Sequence, residues 1–202
     1  MRIGIYGGTF DPVHFGHLLL AESARQQVKL DKVIFVPAGH PPHKHGWKLA
    51  EAEHRARMIE LAINGNPFFC MDRFELNSAK ISYTIHTVEY FESLYPGAEL
   101  FLLLGEDMLR DFPHWYHPER ICEKATPLVI GRAGCEVEDL EFLQHLASAE
   151  RMKEIEKCRV HMIPVAYASS VIREMIAAGE SVLYQTPFSV LQYIKEHQLY
   201  CD

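Results

Sequence analysis

This chain is more easily bounded at first by what it lacks. No stretch approaches the ~18 consecutive apolar residues of a membrane span, so a membrane protein is not expected. The opening Met1-Arg2-Ile3-Gly4-Ile5-Tyr6 is too short an apolar run for a secretory leader and reads as a strand. The five cysteines (Cys70, Cys122, Cys135, Cys158, Cys201) are odd in number, scattered and without a CxxC pair. That argues against a disulfide framework or a thiolate zinc site, and for a reducing, cytoplasmic setting. Basic charge is also scarce: 20 Lys and Arg face 27 Asp and Glu, for a net charge of −7. Broad neutralisation of a nucleic-acid backbone is therefore not expected, although a local basic pocket could still hold one small anion. There is no internal repeat, low-complexity tract or linker. Hydrophobic residues are plentiful, at 48% of the 202, enough for a full core. The length fits one domain over 1–202, with a helical C-terminal part beginning at roughly residue 169. The sequence leaves a homo-oligomer open.

Strand and helix signals alternate. Apolar or β-branched runs at Ile3–Tyr6, Lys32–Val36, Phe68–Phe74, Leu100–Leu104, Pro127–Ile130 and Arg159–Ile163 read as strands. Helical spacing covers Phe15–Val28, Glu51–Ile63, Thr84–Leu94, Ser170–Ala178 and Phe188–His197. The charged stretch Cys135–Lys157 reads as a helical surface excursion. Short, continuously apolar strands separated by helices predict an α/β fold, a doubly wound, Rossmann-like parallel sheet with a small helical C-terminal end.

The strongest signal leaves the first strand: Gly7-Gly8-Thr9-Phe10-Asp11-Pro12-Val13-His14-Phe15-Gly16-His17. Open α/β sheets bind ligands beyond the carboxyl ends of their strands. Glycines let backbone N–H groups approach an anion, and the helix beginning near His14 presents its positive end to phosphate. His14 and His17, three apart, share one face of the first turn, and Thr9 adds a hydroxyl. The pattern is neither GxGxxG nor a P-loop. A zinc reading of the two histidines stays open, although metal-binding helices usually space them four apart with a Glu beside the first. Asp11 could touch a hydrated metal ion or serve as a turn residue beside Pro12.

Further residues gather at expected strand ends and helix starts. Pro41-Pro42-His43-Lys44 is a stiffened loop that holds a cation near the sheet edge, or a solvated basic loop. In Ser82-Tyr83-Thr84, Ser82 or Thr84 could be a helix N-cap. Gly105 ends a buried strand, so Asp107 stands at the same edge, suited to ribose hydroxyls or to capping. Trp115-Tyr116 lies in a polar aromatic loop, where a flat indole can stack on an electron-poor ring. Ala168-Ser169-Ser170-Val171-Ile172-Arg173 opens a helix with Ser169 or Ser170 as N-cap; its hydroxyls, N–H groups and one guanidinium suit a triphosphate. Arg132 is a weaker anion-binding candidate.

The undecapeptide resembles the signature of the HxGH nucleotidyltransferase superfamily. With the other motifs in order, the whole chain is similar to the bacterial nicotinate-nucleotide adenylyltransferases. That resemblance implies AMP transfer from ATP to nicotinate mononucleotide, with Mg²⁺ accompanying ATP and pyrophosphate leaving. It implies catalytic roles for His14, His17 and Arg173. The ATP site would be Gly7, Gly8, Thr9, Phe10, His14, His17, Ser169, Ser170 and Arg173. It assigns the mononucleotide phosphate to Lys44, recognition of the pyridine substituent to Thr84, stacking to Trp115 and carboxylate binding to the backbone N–H of Tyr116, with Gly105, Asp107 and Arg132 nearby. The family's usual Ser-Ser-Thr-x-Ile-Arg departs here at Ala168, which has no hydroxyl, and at Ser170, which keeps one. A phosphopantetheine acceptor, a nicotinamide mononucleotide acceptor and a nucleotide sensor without turnover are the rival readings.

Overall fold

The apolar runs form a sheet because each strand is covered on both sides. β1 (Arg2–Gly8), β2 (Lys32–Pro37), β3 (Phe69–Met71), β4 (Glu99–Leu104), β5 (Ala125–Arg132) and β6 (Val160–Met162) lie in the order β3-β2-β1-β4-β5-β6. Every neighbouring pair is parallel. The computed structural model describes residues 1–40, 49–105, 108, 111–132, 143–163 and 165–201, with the main chain alone at 130–132. The helices among these residues are α1 (Phe15–Val28), α2 (Ala52–Ile63), α3 (Thr84–Leu94), α4 (Pro118–Lys124), α5 (Ala149–Lys157), α6 (Ser169–Ala177) and α7 (Phe188–Glu196). A 3₁₀ turn spans Phe112–His114.

Side chains alternate along a strand, so each strand feeds two cores. On one face Ile3, Ile5, Ile34 and Leu102 pack with Ile85, Val88 and Phe91 of α3, Ile121 of α4 and Ile155 of α5. On the other, Tyr6, Val33, Phe35 and Leu103 pack with Leu20 and Ala24 of α1, Met58 and Ile59 of α2, and Val190 and Ile194 of α7. A small third cluster, Ile172, Val182 and Leu191, joins α6 to α7. The expected doubly wound parallel architecture is therefore observed.

Strand order reverses between β1 and β4, and there the sheet parts. Their pairing ends at Ile5↔Leu102, whereas β1 continues along β2 to Gly8↔Pro37 and β4 continues along β5 to Leu104↔Val129. Above Ile5 and Leu102 a crevice opens at the carboxyl edge, the place where such sheets take ligands.

Two expectations are corrected and one helix is added. The strand over Phe68–Phe74 shortens to Phe69–Met71, because the Asp72 carboxylate accepts the N–H of Phe74 and turns the chain. Helix α4 was not anticipated, although Pro118 at its first position and Glu119 beside it are ordinary start signals. The expected surface excursion over Cys135–Lys157 is helical at α5, but Leu143, Met152 and Ile155 are buried in the first core. Residues 133–142 lie outside the described residues.

Phe91 is wholly enclosed by that core. Phe91→Ala should lower the unfolding free energy by about 3–5 kcal/mol in urea titrations. A loss under ~1 kcal/mol would mean the cavity collapses and that α3 does not anchor the face.

Candidate active site

The loop from β1 to α1 borders the crevice, and its carbonyls are tied down from distant parts of the chain. The guanidinium of Arg55, on α2, donates to the carbonyls of Thr9 (3.0 Å), Ala38 (2.8 Å) and Ala50 (3.0 Å). Arg173 donates to the Asp11 carbonyl (2.7 Å), Ser169 Oγ to that of Pro12 (2.9 Å) and Thr186 Oγ1 to that of Val13 (2.8 Å). The N–H of Phe15 donates to the Gln185 carbonyl (3.0 Å). The carbonyls of Thr9, Asp11, Pro12 and Val13 are thus all occupied by side-chain donors.

His14 is the N-cap of α1, and its partner is His17. The His14 N–H donates to Nδ1 of His17 (3.2 Å), and the His17 N–H donates to Nδ1 of His14 (3.4 Å). This is a capping box built from two imidazoles. Because each Nδ1 accepts, a neutral ring carries its proton on Nε2, which makes both rings Nε2–H donors. The rings stack at a centroid distance of 3.7 Å, 18° from parallel. Gly16 makes room for this: a Cβ there would stand 3.0 Å from Nδ1 of His14 and 3.3 Å from Cβ of Tyr167.

The two loop glycines have different reasons. Among the described residues a Cβ on Gly7 would meet nothing within 4 Å, whereas one on Gly8 would press into the Phe10 ring at 2.9 Å. Phe10 is a core residue, edge-on to Tyr6 and His17, so only its main chain is open to a ligand. Its φ of 51° turns the chain sharply after Thr9.

The remaining candidates spread along the same carboxyl edge. The N-cap of α6 is Ala168, not Ser169 or Ser170, and it makes no side-chain capping bond; the Ser169 hydroxyl bonds Pro12 instead. Ser170 lies in the first turn of α6, and Arg173 a turn further on. The N-cap of α3 is Tyr83, not Ser82 or Thr84. Ser82 Oγ accepts the N–H groups of Gly39 and His40 (both 3.1 Å), which fixes the exit of β2 against the start of α3, and Thr84 is the first residue of that helix. Behind them burial pushes the Glu75 carboxyl up, opposed by bonds from Thr87 and Ser82. Gly105 follows the last residue of β4. Trp115 is half-buried, edge-on to Phe112 at 5.3 Å, and less of a free loop aromatic than the sequence suggests. Tyr116 is exposed and lies over Tyr83 at 4.5 Å, which links the Trp-Tyr pair to the start of α3. Lys44 and Asp107 lie outside the described residues, as does the side chain of Arg132 at the end of β5.

Sequence reasoning missed Arg55, Thr186 and Tyr200, whose hydroxyl donates to Oδ1 of Asp11 at 2.6 Å. Arg55 alone left a signal: it shares the four-residue stripe of Ile59 and Ile63 on the buried face of α2, where a charge must be paired. Asp11 lies in a turn with Pro12, as expected, and is buried there beside Arg173. No group of three or more His, Cys, Asp or Glu among the described residues is placed to hold a metal. A cleft of about 760 Å³ lined by Arg2, Lys29, Glu99 and Arg151 opens at the opposite rim, away from all these motifs.

Burial pulls the His14 pKa down to about 4, so the ring is neutral through the physiological range. In the unfolded chain the same ring titrates near ~6.5. Below that value the unfolded state takes up a proton that the folded state refuses. Stability is therefore retained above ~6.5 and falls as pH drops from there toward the folded value, by on the order of 3 kcal/mol from this group. A His14→Gln variant should show a shallower loss of unfolding midpoint across that window; identical slopes in both proteins would remove His14 as the cause.

A cytidylyltransferase-like family model matches residues 5–175. A "Probable nicotinate-nucleotide adenylyltransferase" of Thermomicrobium roseum is 41% identical over 202 residues, covering 98% of this chain and 91% of that one. One of the same name from Roseiflexus sp. is 40% identical, covering 98% and 97%. Among solved structures, Plasmodium falciparum nicotinic acid mononucleotide adenylyltransferase complexed with NaAD superposes with a TM-score of 0.74 at 18% identity, covering 98% and 97%. The sheet agrees with the structural likeness, and the chain belongs to the cytidylyltransferase-like family, grouping there with the nicotinate-nucleotide adenylyltransferases.

Proposed function

We propose that this protein transfers AMP from ATP to nicotinate mononucleotide, forming nicotinate adenine dinucleotide and pyrophosphate. The reciprocal cap between His14 and His17 carries the reading: with both Nδ1 atoms accepting, it leaves Nε2–H donors on two imidazoles at the positive end of α1, beside the crevice. The relatives' names supply the reaction and the acceptor.

The chemistry is attack by the mononucleotide's phosphate oxygen on the α-phosphorus of ATP. Both reactants are anions, so orientation and charge stabilisation dominate, and no covalent nucleophile is needed. His14 and His17 donate to the α-phosphate and stabilise the charge that develops there. The N–H groups of Gly7, Gly8, Thr9 and Phe10 line the polyphosphate path, and Arg173 with the amino end of α6 and Ser170 receives the leaving pyrophosphate. The Ser169 hydroxyl acts through Pro12 rather than on the ligand. The acceptor lies toward β4 and α3, with Trp115 against the pyridine ring and Thr84 and the Tyr116 N–H at its carboxylate; the family resemblance assigns Gly105, Asp107, Lys44 and Arg132 to the mononucleotide as well. A divalent cation, Mg²⁺ in our reading, neutralises phosphate charge when bound and is carried by ATP oxygens and water. Cysteine usage favours the cytoplasm, and residues 1–202 act as one nucleotidyltransferase domain.

An acceptor panel with ATP and Mg²⁺ tests the reaction. Pyrophosphate release should be fastest with nicotinate mononucleotide, slower with nicotinamide mononucleotide and absent with phosphopantetheine. Release only with phosphopantetheine, or with none of the three, would overturn the reading. Gly7→Ala tests where the polyphosphate lies. Its methyl meets no atom of the described residues beyond its chain neighbours, so the unfolding midpoint should hold while the KM for ATP rises about tenfold or more. An unchanged KM would put the phosphates elsewhere.

A further inference from the structure

We propose that Tyr200 is a positioning residue for the polyphosphate site: by donating its hydroxyl to Oδ1 of Asp11 it keeps that carboxylate from closing a two-pronged ion pair with Arg173, and so leaves the guanidinium available to an anionic ligand. This rests on the assignment of Arg173 to the polyphosphate.

Asp11 is 1% exposed and sits by two guanidinium groups. That of Arg55 is committed to three backbone carbonyls. That of Arg173 behaves differently. Its Nη1 bonds the Asp11 backbone carbonyl at 2.7 Å yet stands 3.8 Å from Oδ2, which has no hydrogen-bond partner among the described residues. A buried carboxylate facing an arginine ordinarily accepts two parallel bonds, and leaving one oxygen unbonded is costly. The obstacle lies on the other oxygen. Oδ1 accepts the Tyr200 hydroxyl at 2.6 Å and the Ala50 N–H at 3.3 Å, which fixes the carboxylate. Released from that hold, the carboxylate could turn both oxygens toward Arg173.

The donor is built to stay a donor and to stay in place. Burial first, then the neighbouring Asp11 carboxylate, pushes the Tyr200 hydroxyl pKa far up, so the group is protonated at every working pH. Gln198 and Tyr200 both take left-handed backbone conformations, with φ of 50° and 65°. Such conformations are disfavoured for residues with a side chain and persist where the surroundings impose them. Tyr200 also packs against the second core. The Arg173 side chain remains 21% exposed, so a ligand can reach it.

The test compares Tyr200→Phe with the parent protein in the presence and absence of Arg173. The phenylalanine keeps the ring and removes the donor. With Arg173 intact, the KM for ATP should rise about tenfold while the KM for the mononucleotide stays within about twofold. In an Arg173→Ala background the same change should leave the KM for ATP unaltered, because no guanidinium remains to be captured. Should Tyr200→Phe fold poorly, Tyr200→Gln restores a donor and should return the KM for ATP toward the parent value. An equal effect of Tyr200→Phe in both backgrounds, or none with Arg173 present, would overturn the proposal. An Arg173→Ala protein with an unchanged KM for ATP would instead overturn the assignment of that guanidinium, and the proposal with it.

Discussion

The polyphosphate path proposed for the loop after β1 requires that its own carbonyl oxygens be kept away from the ligand. Each carries partial negative charge, and several stand in any short segment. Here the carbonyls of Thr9, Asp11, Pro12 and Val13 are drawn onto Arg55, Arg173, Ser169 and Thr186. With the oxygens held by the protein, N–H groups and imidazoles are what remain for an anion. The course of the C-terminal segment, from Ser169 to Thr186, is tied to that constraint.

The paired histidines show how local structure becomes chemistry. An N-cap normally uses a hydroxyl or carboxylate to satisfy the first free N–H groups of a helix. Imidazole can do this through one nitrogen and still offer a donor at the other. The bonds that begin α1 therefore also set the tautomer of both rings. Gly16 is required by the same arrangement, since the His14 ring lies over its α-carbon.

Much of this was readable in advance. Strand and helix positions followed from apolar runs and spacing because nearly every element is buried on a face of one sheet, and α1 and α3 begin and end as their patterns imply. The undecapeptide located the crevice because its glycines and histidines lie close in sequence. The caps of α3 and α6 were misread because Ser82 and Ser169 turn to other segments, and no local pattern announces that choice. Arg55, Thr186 and Tyr200 went unnoticed for a related reason: they act on residues 46, 173 and 189 positions away. Pairings of that range exist only once the chain has folded.

Those separations also bear on the order of events during synthesis. The loop after β1 is translated before the groups that draw in its carbonyls, soon before Arg55 and long before Ser169, Arg173 and Thr186. Until Ser169, Arg173, Thr186 and Tyr200 arrive, the nascent sheet carries its motif without its shape. The Asp11, Pro12 and Val13 carbonyls are then gathered in together, when α6 and the segment after it dock, rather than one by one as the chain lengthens.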